Sequence, residues 1–151
     1  ILVINGPNLN LLGIREPAVY GSRTYAELCQ YVHQACKELG IACRICQSNH
    51  EGQIVDWIQA AYADGTDGIV INPAAYTHTS IAIPDALKAV GLPAVEVHLS
   101  DIATREAYRR VSYTTEACIR TICGKGFEGY RLAAECLREH VGKRAGGGIP
   151  C

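Results

Sequence analysis

Ile1-Leu-Val-Ile-Asn5-Gly-Pro-Asn8 opens the chain and sets the pattern on which the fold prediction rests. Its four apolar residues predict a short buried strand, which the turn-forming Asn-Gly-Pro ends abruptly. No helical pattern follows as far as Gly21, and this stretch carries Arg15 and Tyr20. Long loops without secondary structure are uncommon in compact domains and usually cover or bind something. We therefore place a candidate binding loop directly after the first strand.

Arg15 and Tyr20 are the candidate chemical groups on this loop. A guanidinium close to a phenol favours the phenolate, so the pair could provide a base near neutral pH. The alternative is a solvated surface loop whose tyrosine packs on the core. Taken alone, the loop sequence fits both interpretations equally well.

The composition describes one domain with enough apolar residues for a sizeable core. The chain has 151 residues, of which 48% are hydrophobic, and a formal net charge of −1. Nothing in this charge favours binding to nucleic acid or to an anionic membrane. No apolar run approaches the roughly 18 residues of a membrane span. No secretory signal is visible, although the sequence begins without Met.

Eight cysteines are present, and their spacing predicts reduced thiols. A disulfide framework is typical of small secreted chains that cannot build a core, whereas this chain can build one. Cys43-Arg-Ile-Cys46 has the spacing of a metal or redox motif but falls in an apolar stretch that predicts a strand. Residues three apart on a strand point to opposite faces, so we expect core thiols and a reducing compartment.

Strand and helix patterns alternate along the chain. The last helix is followed by a glycine-rich end that predicts a flexible tail. Thr24, with Glu27 three residues later, has the signature of a helix N-cap, and Gly40 is a helix stop. Strands are predicted at Ile1–Asn5, Ile41–Cys46, Gly68–Asn72, Ala94–His98 and Cys118–Cys123, helices at Thr24–Leu39, Gln53–Ala63, Ser80–Val90 and Phe127–Val141, and a short helix or turn at Thr104–Val111.

Five strands joined by helical crossovers predict an α/β fold with a parallel sheet covered by helices on both faces. The size is typical of a flavodoxin-like domain with strand order 2-1-3-4-5. We predict a single catalytic domain over residues 1–143 and a flexible tail over residues 144–151. In such sheets a ligand binds outside the carboxyl ends of the strands, near the point where the strand order reverses.

Polar side chains follow four of the predicted strands, which indicates a site for a small polar substrate. Glu96 and His98 are two apart on one strand and so share a side. A carboxylate on one ring nitrogen would fix the imidazole tautomer and keep the ring available as an acid or base. A simple ion pair at the strand end is the alternative. His78 precedes a helix, where an anion is favoured, and His50 is interpreted as an ordinary loop residue.

Two other functional classes fit parts of the sequence. Gly124-Lys-Gly126-Phe-Glu-Gly129 has the glycine spacing of a dinucleotide-binding turn. It lacks the acidic residue at the end of a following strand, so we interpret it as a tight strand-to-helix turn. A flavin or nucleotide binder would need a phosphate-binding loop after strand 1, and the bulky leucines there make a poor one. A metal-dependent hydrolase could use His50, His78, Glu96 and His98, which lack a recognised ligand spacing.

Several long motifs, in order along almost the whole chain, resemble those of the type II 3-dehydroquinate dehydratases. They are Asn5-Gly-Pro-Asn-Leu-Asn-Leu-Leu-Gly13, Arg15-Glu-Pro17, Tyr20-Gly21, Gln47-Ser-Asn-His-Glu-Gly52, Asn72-Pro-Ala-Ala-Tyr-Thr-His-Thr-Ser80, Glu96-Val-His-Leu-Ser100 and Gly126-Phe-Glu-Gly-Tyr130. The resemblance implies a flavodoxin-like fold and a lyase that reversibly dehydrates 3-dehydroquinate to 3-dehydroshikimate, in the shikimate pathway or in quinate breakdown. It also implies an enzyme without a cofactor or metal, and a homo-dodecamer built as four trimers. Together with the reduced thiols, these expectations predict a cytoplasmic protein.

The resemblance also implies a role for each matching residue. Tyr20 would be the base, with Arg15 beside it, and the residue matching Asn8 would hold the water that stabilises an enolate. His98 would be the acid, oriented by Glu96. The substrate would be held by Asn72, His78, Arg109, the backbone of Leu99 and Ser100, and Asp85 of a neighbouring subunit. Asp101 departs from the family, which usually has Asn there. Its charge could weaken substrate binding, or it could point away and pair with Arg105.

Overall fold

The chain folds around a five-stranded parallel sheet with the order β2-β1-β3-β4-β5, as predicted. The computed structural model describes residues 1–14 and 22–146, with only the backbone at 144–146. No helix within these ranges is long and apolar enough to cross a membrane. The strands are β1 Leu2–Asn5, β2 Arg44–Gln47, β3 Ile69–Asn72, β4 Ala94–His98 and β5 Arg120–Cys123.

Four α-helices among the described residues cover the two faces of the sheet. They are α1 Tyr25–Glu38, α2 Glu51–Ala61, α3 Ala82–Val90 and α4 Glu128–Gly146. Leu28 of α1 and Leu137 of α4 belong to the apolar cluster on one face. Ile54 of α2 and Ile83 of α3 belong to the cluster on the other face. Because helices cover both faces, the central strands β1, β3 and β4 consist largely of buried apolar residues.

Helix α1 begins and ends at the predicted signals. The Thr24 hydroxyl accepts a hydrogen bond from the backbone N–H of Glu27, whose side chain accepts one from the backbone N–H of Thr24. At the other end Gly40 has φ +69°, and the N–H of Ile41 donates to the Cys36 carbonyl at 2.8 Å. This six-to-one bond is the Schellman arrangement that a left-handed glycine permits.

The largest differences from the predicted boundaries are at β2, in the segment between β4 and β5, and at the end of α4, whereas the other strands and helices differ by at most two residues at either end. β2 begins at Arg44 rather than Ile41, because the Ile41 N–H is used to end α1. The stretch predicted as one short helix or turn over Thr104–Val111 forms two 3₁₀ turns, Ile102–Thr104 and Ala107–Arg109. Helix α4 extends to Gly146, so the first three residues of the predicted tail are helical, and the remainder lies outside the described residues.

Cys43 and Cys46 pack on opposite sides of the sheet, as the strand interpretation predicted. Cys43 lies against the cluster under α1 and α4, and Cys46 against the cluster under α2 and α3. Cys43 Sγ is 3.3 Å from His33 Nδ1. The seven cysteines among the described residues are all free thiols. Cys36, Cys43 and Cys136 pack with the apolar cluster on one face of the sheet, and Cys46 and Cys118 with the cluster on the other.

The ends of β1 and β3 approach each other closely. The two strands pair in register from Leu2 with Ile69 to Asn5 with Asn72. Just beyond them, a Cβ added to Gly6 would lie 2.5 Å from the backbone oxygen of Pro73 and 2.7 Å from its carbonyl carbon. Only glycine fits where two backbones are this close. Gly6 therefore sets the spacing of the two loops that leave the sheet at this edge.

We predict that Gly6→Ala destabilises the protein by about 3 kcal/mol, because the methyl group meets rigid backbone rather than a movable side chain. Urea denaturation of the variant and the wild type measures the loss. Gly52→Ala is the matched control, since a Cβ there meets no atom within 4 Å and alanine favours a helical position. Equal stability of the two variants would contradict the close approach.

Candidate active site

A cleft of about 630 Å³, measured out to its open mouth, lies at the carboxyl ends of β1, β3 and β4. This is the edge where the sheet order reverses, as expected for an open α/β sheet. Polar and apolar residues contribute equally to its lining. The lining residues are Pro7, Asn8, Leu9, Leu12, Asn72, Ala74, Ala75, His78, His98, Leu99, Ser100, Ile102, Arg105 and Arg109.

His98 and Glu96 form a hydrogen-bonded pair behind the cleft. His98 Nε2 lies 2.7 Å from Glu96 Oε1. The two residues project to the same side of β4, as the period of a strand requires. His98 lines the cleft, whereas the Glu96 side chain is fully buried. Because Glu96 occupies Nε2, the other ring nitrogen, Nδ1, is available to a group in the cleft.

Glu96 is buried as an anion. Burial raises the pKa of Glu96, but hydrogen bonding and charge from His98, together with the hydroxyls of Thr115 and Thr77, outweigh it and hold that pKa well below the usual range. Burial, with the charge of Glu96, raises the pKa of the Cys118 thiol to about 12. The thiol therefore stays neutral, and it adds no second negative charge beside the carboxylate.

Asn8 is held at the mouth of the cleft in a left-handed conformation with φ 66°. Its backbone N–H donates to Asn49 Oδ1 at 3.0 Å. Gln47 Nε2 also donates to Asn49 Oδ1, at 3.1 Å, and to the Gly6 carbonyl, at 3.2 Å. These bonds fix which end of the Asn49 amide faces Asn8. The loop after β2 therefore supports the turn after β1.

A buried chain of hydrogen bonds connects Asn72 to the end of β1. The Tyr130 hydroxyl donates to Asn5 Oδ1 at 2.6 Å and accepts from Asn72 Nδ2 at 3.0 Å. Asn72 Oδ1 in turn accepts from the backbone N–H of Ala74, which has φ 51°. Burial raises the pKa of Tyr130, so its hydroxyl keeps its proton and can donate. Tyr130 thereby fixes the orientation of the Asn72 amide at the cleft.

The segment between β4 and β5 brings two arginines to the cleft. Arg105 and Arg109 both line it. Arg109 Nε lies 3.4 Å from Glu106 Oε2, yet it is buried and has no hydrogen-bond partner among the described residues. His78 Nδ1 donates to the Val111 carbonyl at 2.7 Å and so attaches this segment to the turn after β3. Two cations and His78 therefore surround one side of the cleft, which suits an anionic ligand.

Not every predicted site residue lies in the cleft. Asp85 is exposed on α3 and does not line it. Arg15 and Tyr20 lie outside the described residues. His50, interpreted from the sequence as an ordinary loop residue, is exposed at the N-cap position of α2 and does not line the cleft. The remaining predicted residues either line the cleft or, in the case of Glu96, directly contact a residue that does.

Asp101 caps the first 3₁₀ turn after β4. Its Oδ1 accepts a hydrogen bond from the backbone N–H of Ala103 at 2.9 Å. Asn could accept the same bond, so the substitution keeps the local structure of the turn. Asp101 is exposed and is not among the residues that line the cleft.

Sequence reasoning missed several residues of this region. Arg105 was considered only as a partner for Asp101, although it lines the cleft. The hydroxyls of Thr77, Ser112, Thr115 and Thr121 that contact Glu96 were also missed. No spacing rule could have found these hydroxyls, because Thr77 follows β3, Ser112 and Thr115 precede β5, and Thr121 lies on β5. Tyr130 was quoted in a motif, but its contact with two asparagines depends on the folded structure.

The architecture and the cleft define a flavodoxin-like α/β domain with a buried histidine–carboxylate pair. The family model described as "Dehydroquinase class II" matches residues 1–138. This chain belongs to the class II dehydroquinase family.

Individual relatives cover nearly all of the chain. A 3-dehydroquinate dehydratase from Clostridium acetobutylicum is 54% identical over 143 residues, covering 95% of this chain and 99% of the relative. The crystal structure of a type II dehydroquinase from Butyrivibrio crossotus is 51% identical with a TM-score of 0.89, covering 91% of this chain and 95% of the relative. That from Propionibacterium acnes is 43% identical with a TM-score of 0.88, covering 92% and 95%.

We predict that Tyr130→Phe destabilises the protein by about 3 kcal/mol, because it leaves two buried amide groups without their partner. Urea denaturation measures the change in free energy of unfolding. Tyr62→Phe is the control, since Tyr62 is 74% exposed and its hydroxyl can be replaced by water. A loss no larger than in Tyr62→Phe would show that the buried chain of hydrogen bonds contributes nothing to stability.

Proposed function

We propose that this protein dehydrates 3-dehydroquinate to 3-dehydroshikimate through an enolate intermediate. Membership of the class II dehydroquinase family supports the substrate and the reaction. The observation that carries the mechanism is the His98–Glu96 pair, which borders a cleft that two arginines also line. An imidazole supported by a carboxylate can deliver a proton to a departing hydroxyl, and the cations suit a carboxylate substrate.

Proton abstraction at C2, next to the ketone, is the first step. Tyr20 is the proposed base and Arg15 stabilises its phenolate; both assignments rest on the motif match. A free tyrosine titrates near pH 10, and a base is most effective near the working pH. A shift of about 3 units corresponds to about 4 kcal/mol. One close guanidinium together with the bound substrate could supply that stabilisation.

The electron pair from the broken C2–H bond moves toward the C3 oxygen and forms the enolate. A water held by Asn8 is proposed to donate a hydrogen bond to that oxygen, as a neutral oxyanion-hole group. The hydrogen bond from the Asn8 backbone to Asn49 supports this assignment, because it fixes the residue at the mouth of the cleft. A group that is already in position need not reorganise as the charge develops.

In the second step the enolate collapses and the C1–O bond breaks. His98 gives a proton to the departing oxygen, which leaves as water, and a double bond forms between C1 and C2. Hydroxide is a poor leaving group, so this proton transfer is required for useful turnover. Glu96, bonded to Nε2, orients the ring and leaves Nδ1 to face the substrate.

Substrate binding is assigned to the remaining cleft groups. The carboxylate of the substrate rests on the backbone N–H groups of Leu99 and Ser100. Asn72, His78 and Arg109 bind the carboxylate and the ring hydroxyls. The buried Arg109 Nε, without a hydrogen-bond partner among the described residues, supports its role as a ligand. None of these roles requires a cofactor or a metal, since the base, the acid and the oxyanion stabiliser are side chains and water.

We further propose the assembly and setting of the enzyme. The catalytic domain covers residues 1–143. The protein forms a homo-dodecamer of four trimers, in which Asp85 reaches the cleft of a neighbouring subunit. The exposure of Asp85 on α3, away from its own cleft, supports that placement. The enzyme works in the cytoplasm, in the shikimate pathway or in quinate breakdown, and its free thiols support a reducing compartment.

The assembly is tested by multi-angle light scattering of the purified protein. We expect a closed oligomer, with a mass near twelve times that of one 16.3 kDa chain. Asp85→Asn should then lower turnover while it leaves the mass unchanged, because it alters a group offered to the neighbour. A monomer at assay concentration would contradict the shared site.

The mechanism is tested by separating the two proton transfers. Tyr20→Phe and His98→Ala should each lower kcat by about 10²–10⁴-fold, the usual contribution of a positioned acid or base. The proton at C2 should still exchange with deuterated solvent in His98→Ala, because enolate formation does not need the acid. It should not exchange in Tyr20→Phe. Proton NMR of 3-dehydroquinate with each variant measures the exchange.

Two results would contradict this mechanism. Exchange at the wild-type rate in Tyr20→Phe would mean that another group is the base. Loss of wild-type turnover on dialysis against EDTA, with recovery on addition of a metal, would support the hydrolase-type metal chemistry considered from the sequence. Appearance of the conjugated enone of the product, followed by ultraviolet absorbance, reports turnover in every assay.

A further inference from the structure

Four side-chain hydroxyls surround the buried carboxylate of Glu96, and the proposed reaction gives none of them a role. Glu96 Oε1 accepts a hydrogen bond from the Thr77 hydroxyl and one from the Ser112 hydroxyl at 2.9 Å, in addition to that from His98. Glu96 Oε2 accepts from the hydroxyls of Thr115 at 2.6 Å, Ser112 at 3.0 Å and Thr121 at 3.2 Å. We call Thr77, Ser112, Thr115 and Thr121 the hydroxyl cage.

The bonding partners of the hydroxyl cage orient its hydrogens toward the carboxylate. A hydroxyl has one hydrogen to donate and two lone pairs that accept. The Ser112 oxygen accepts from the backbone N–H of Thr115 at 3.1 Å, so its hydrogen remains free to point at Glu96. The single hydrogen of the Thr121 hydroxyl is shared between the Thr115 oxygen at 3.1 Å and Glu96 Oε2 at 3.2 Å, which leaves the whole Thr115 hydrogen for Oε2.

Donors on a carboxylate stabilise its ionised form and spread its charge. A carboxylate with fewer donors is more basic and attracts the proton on His98 Nε2 more strongly. The imidazolium is then held more tightly as a pair with Glu96, and the Nδ1 proton becomes harder to release. The number of hydroxyls bonded to Glu96 thus affects how readily His98 gives up its Nδ1 proton, although these hydroxyls bond to Glu96 rather than to His98.

We propose that the residues of the hydroxyl cage are positioning residues for the acid step. Among them, Thr115 makes the largest contribution that can be measured separately. The cage keeps the carboxylate ionised and oriented, so that His98 keeps its Nε2 proton and gives its Nδ1 proton to the oxygen leaving C1. As that proton moves, the C1–O bond breaks with its electron pair going to oxygen, and His98 becomes neutral. This inference rests on the proposed assignment of His98 as the acid.

Thr115 is the best probe because it is accessible and has a matched neighbour. Its residue is exposed and does not line the cleft, so Thr115→Val should neither unfold the protein nor touch the substrate. Thr114 is fully buried and its hydroxyl has no hydrogen-bond partner among the described residues. Thr114→Val makes the same chemical change one residue away without taking a donor from Glu96.

The experiment compares Thr115→Val, Thr115→Ser and Thr114→Val with the wild type in 3-dehydroquinate turnover and in exchange of the C2 proton. We expect Thr115→Val to lower kcat by about tenfold, as for a lost hydrogen bond to a charged group. KM should stay within about twofold, because no substrate contact is removed. C2 exchange should persist, so the ratio of exchange to dehydration should rise. Thr115→Ser should restore kcat, and Thr114→Val should match the wild type.

The possible results distinguish a failure of the role assigned to Thr115 from a failure of the proposed dehydratase activity. Turnover of Thr115→Val equal to that of Thr114→Val would overturn the inference, as would an equal fall in exchange and dehydration, which is the sign of general disruption. If the wild type itself fails to dehydrate 3-dehydroquinate, the proposed function is wrong instead. Should Thr115→Val fail to fold, Thr121→Val removes a weaker donor from the same oxygen and should raise the ratio by a smaller factor.

Discussion

A carboxylate buried in a protein interior has to be surrounded by hydrogen-bond donors, and the donors to Glu96 come from several separate parts of the chain. The donors come from the turn after β3, the end of the arginine-bearing segment, the turn before β5 and β5 itself. An unpaired charge at this depth would cost several kcal/mol. These irregular segments are consequently held in place by one charged group as well as by apolar packing.

The cleft also depends on a polar layer at the end of the sheet. Asn5 and Asn72 are paired in register on adjacent strands, and Tyr130 of α4 bonds to both amides. Gly6 brings the two outgoing loops within backbone contact. The ends of the strands thus place Asn72 at the cleft, Tyr130 orients its amide, and Gly6 determines how closely the two loops approach each other. Sites built on regular elements in this way are better positioned than sites on loops alone.

The fold was predictable from local patterns because each one reports on burial or on helix ends. Apolar strands, the Thr24 cap and the period of two that joins Glu96 to His98 all belong to short stretches of sequence. The boundary of β2 was not predictable in the same way, since Ile41 is apolar whether it extends a strand or ends a helix. The hydroxyl cage was missed because threonine and serine are common in turns, and only the fold brings them to one carboxylate.

The contacts of Ser112 connect acid chemistry to substrate binding. Its hydroxyl bonds to Glu96, and the next residue, Tyr113, donates its backbone N–H to the Thr77 carbonyl at 2.8 Å. The segment that these bonds attach carries Arg109 into the cleft. A displacement of Arg109 is therefore resisted by the same carboxylate that orients His98. Because Arg109 and His98 are both held by the buried Glu96, the distance between the substrate-binding arginine and the acid is fixed. A proton transfer over hydrogen-bond distance requires such fixed positions.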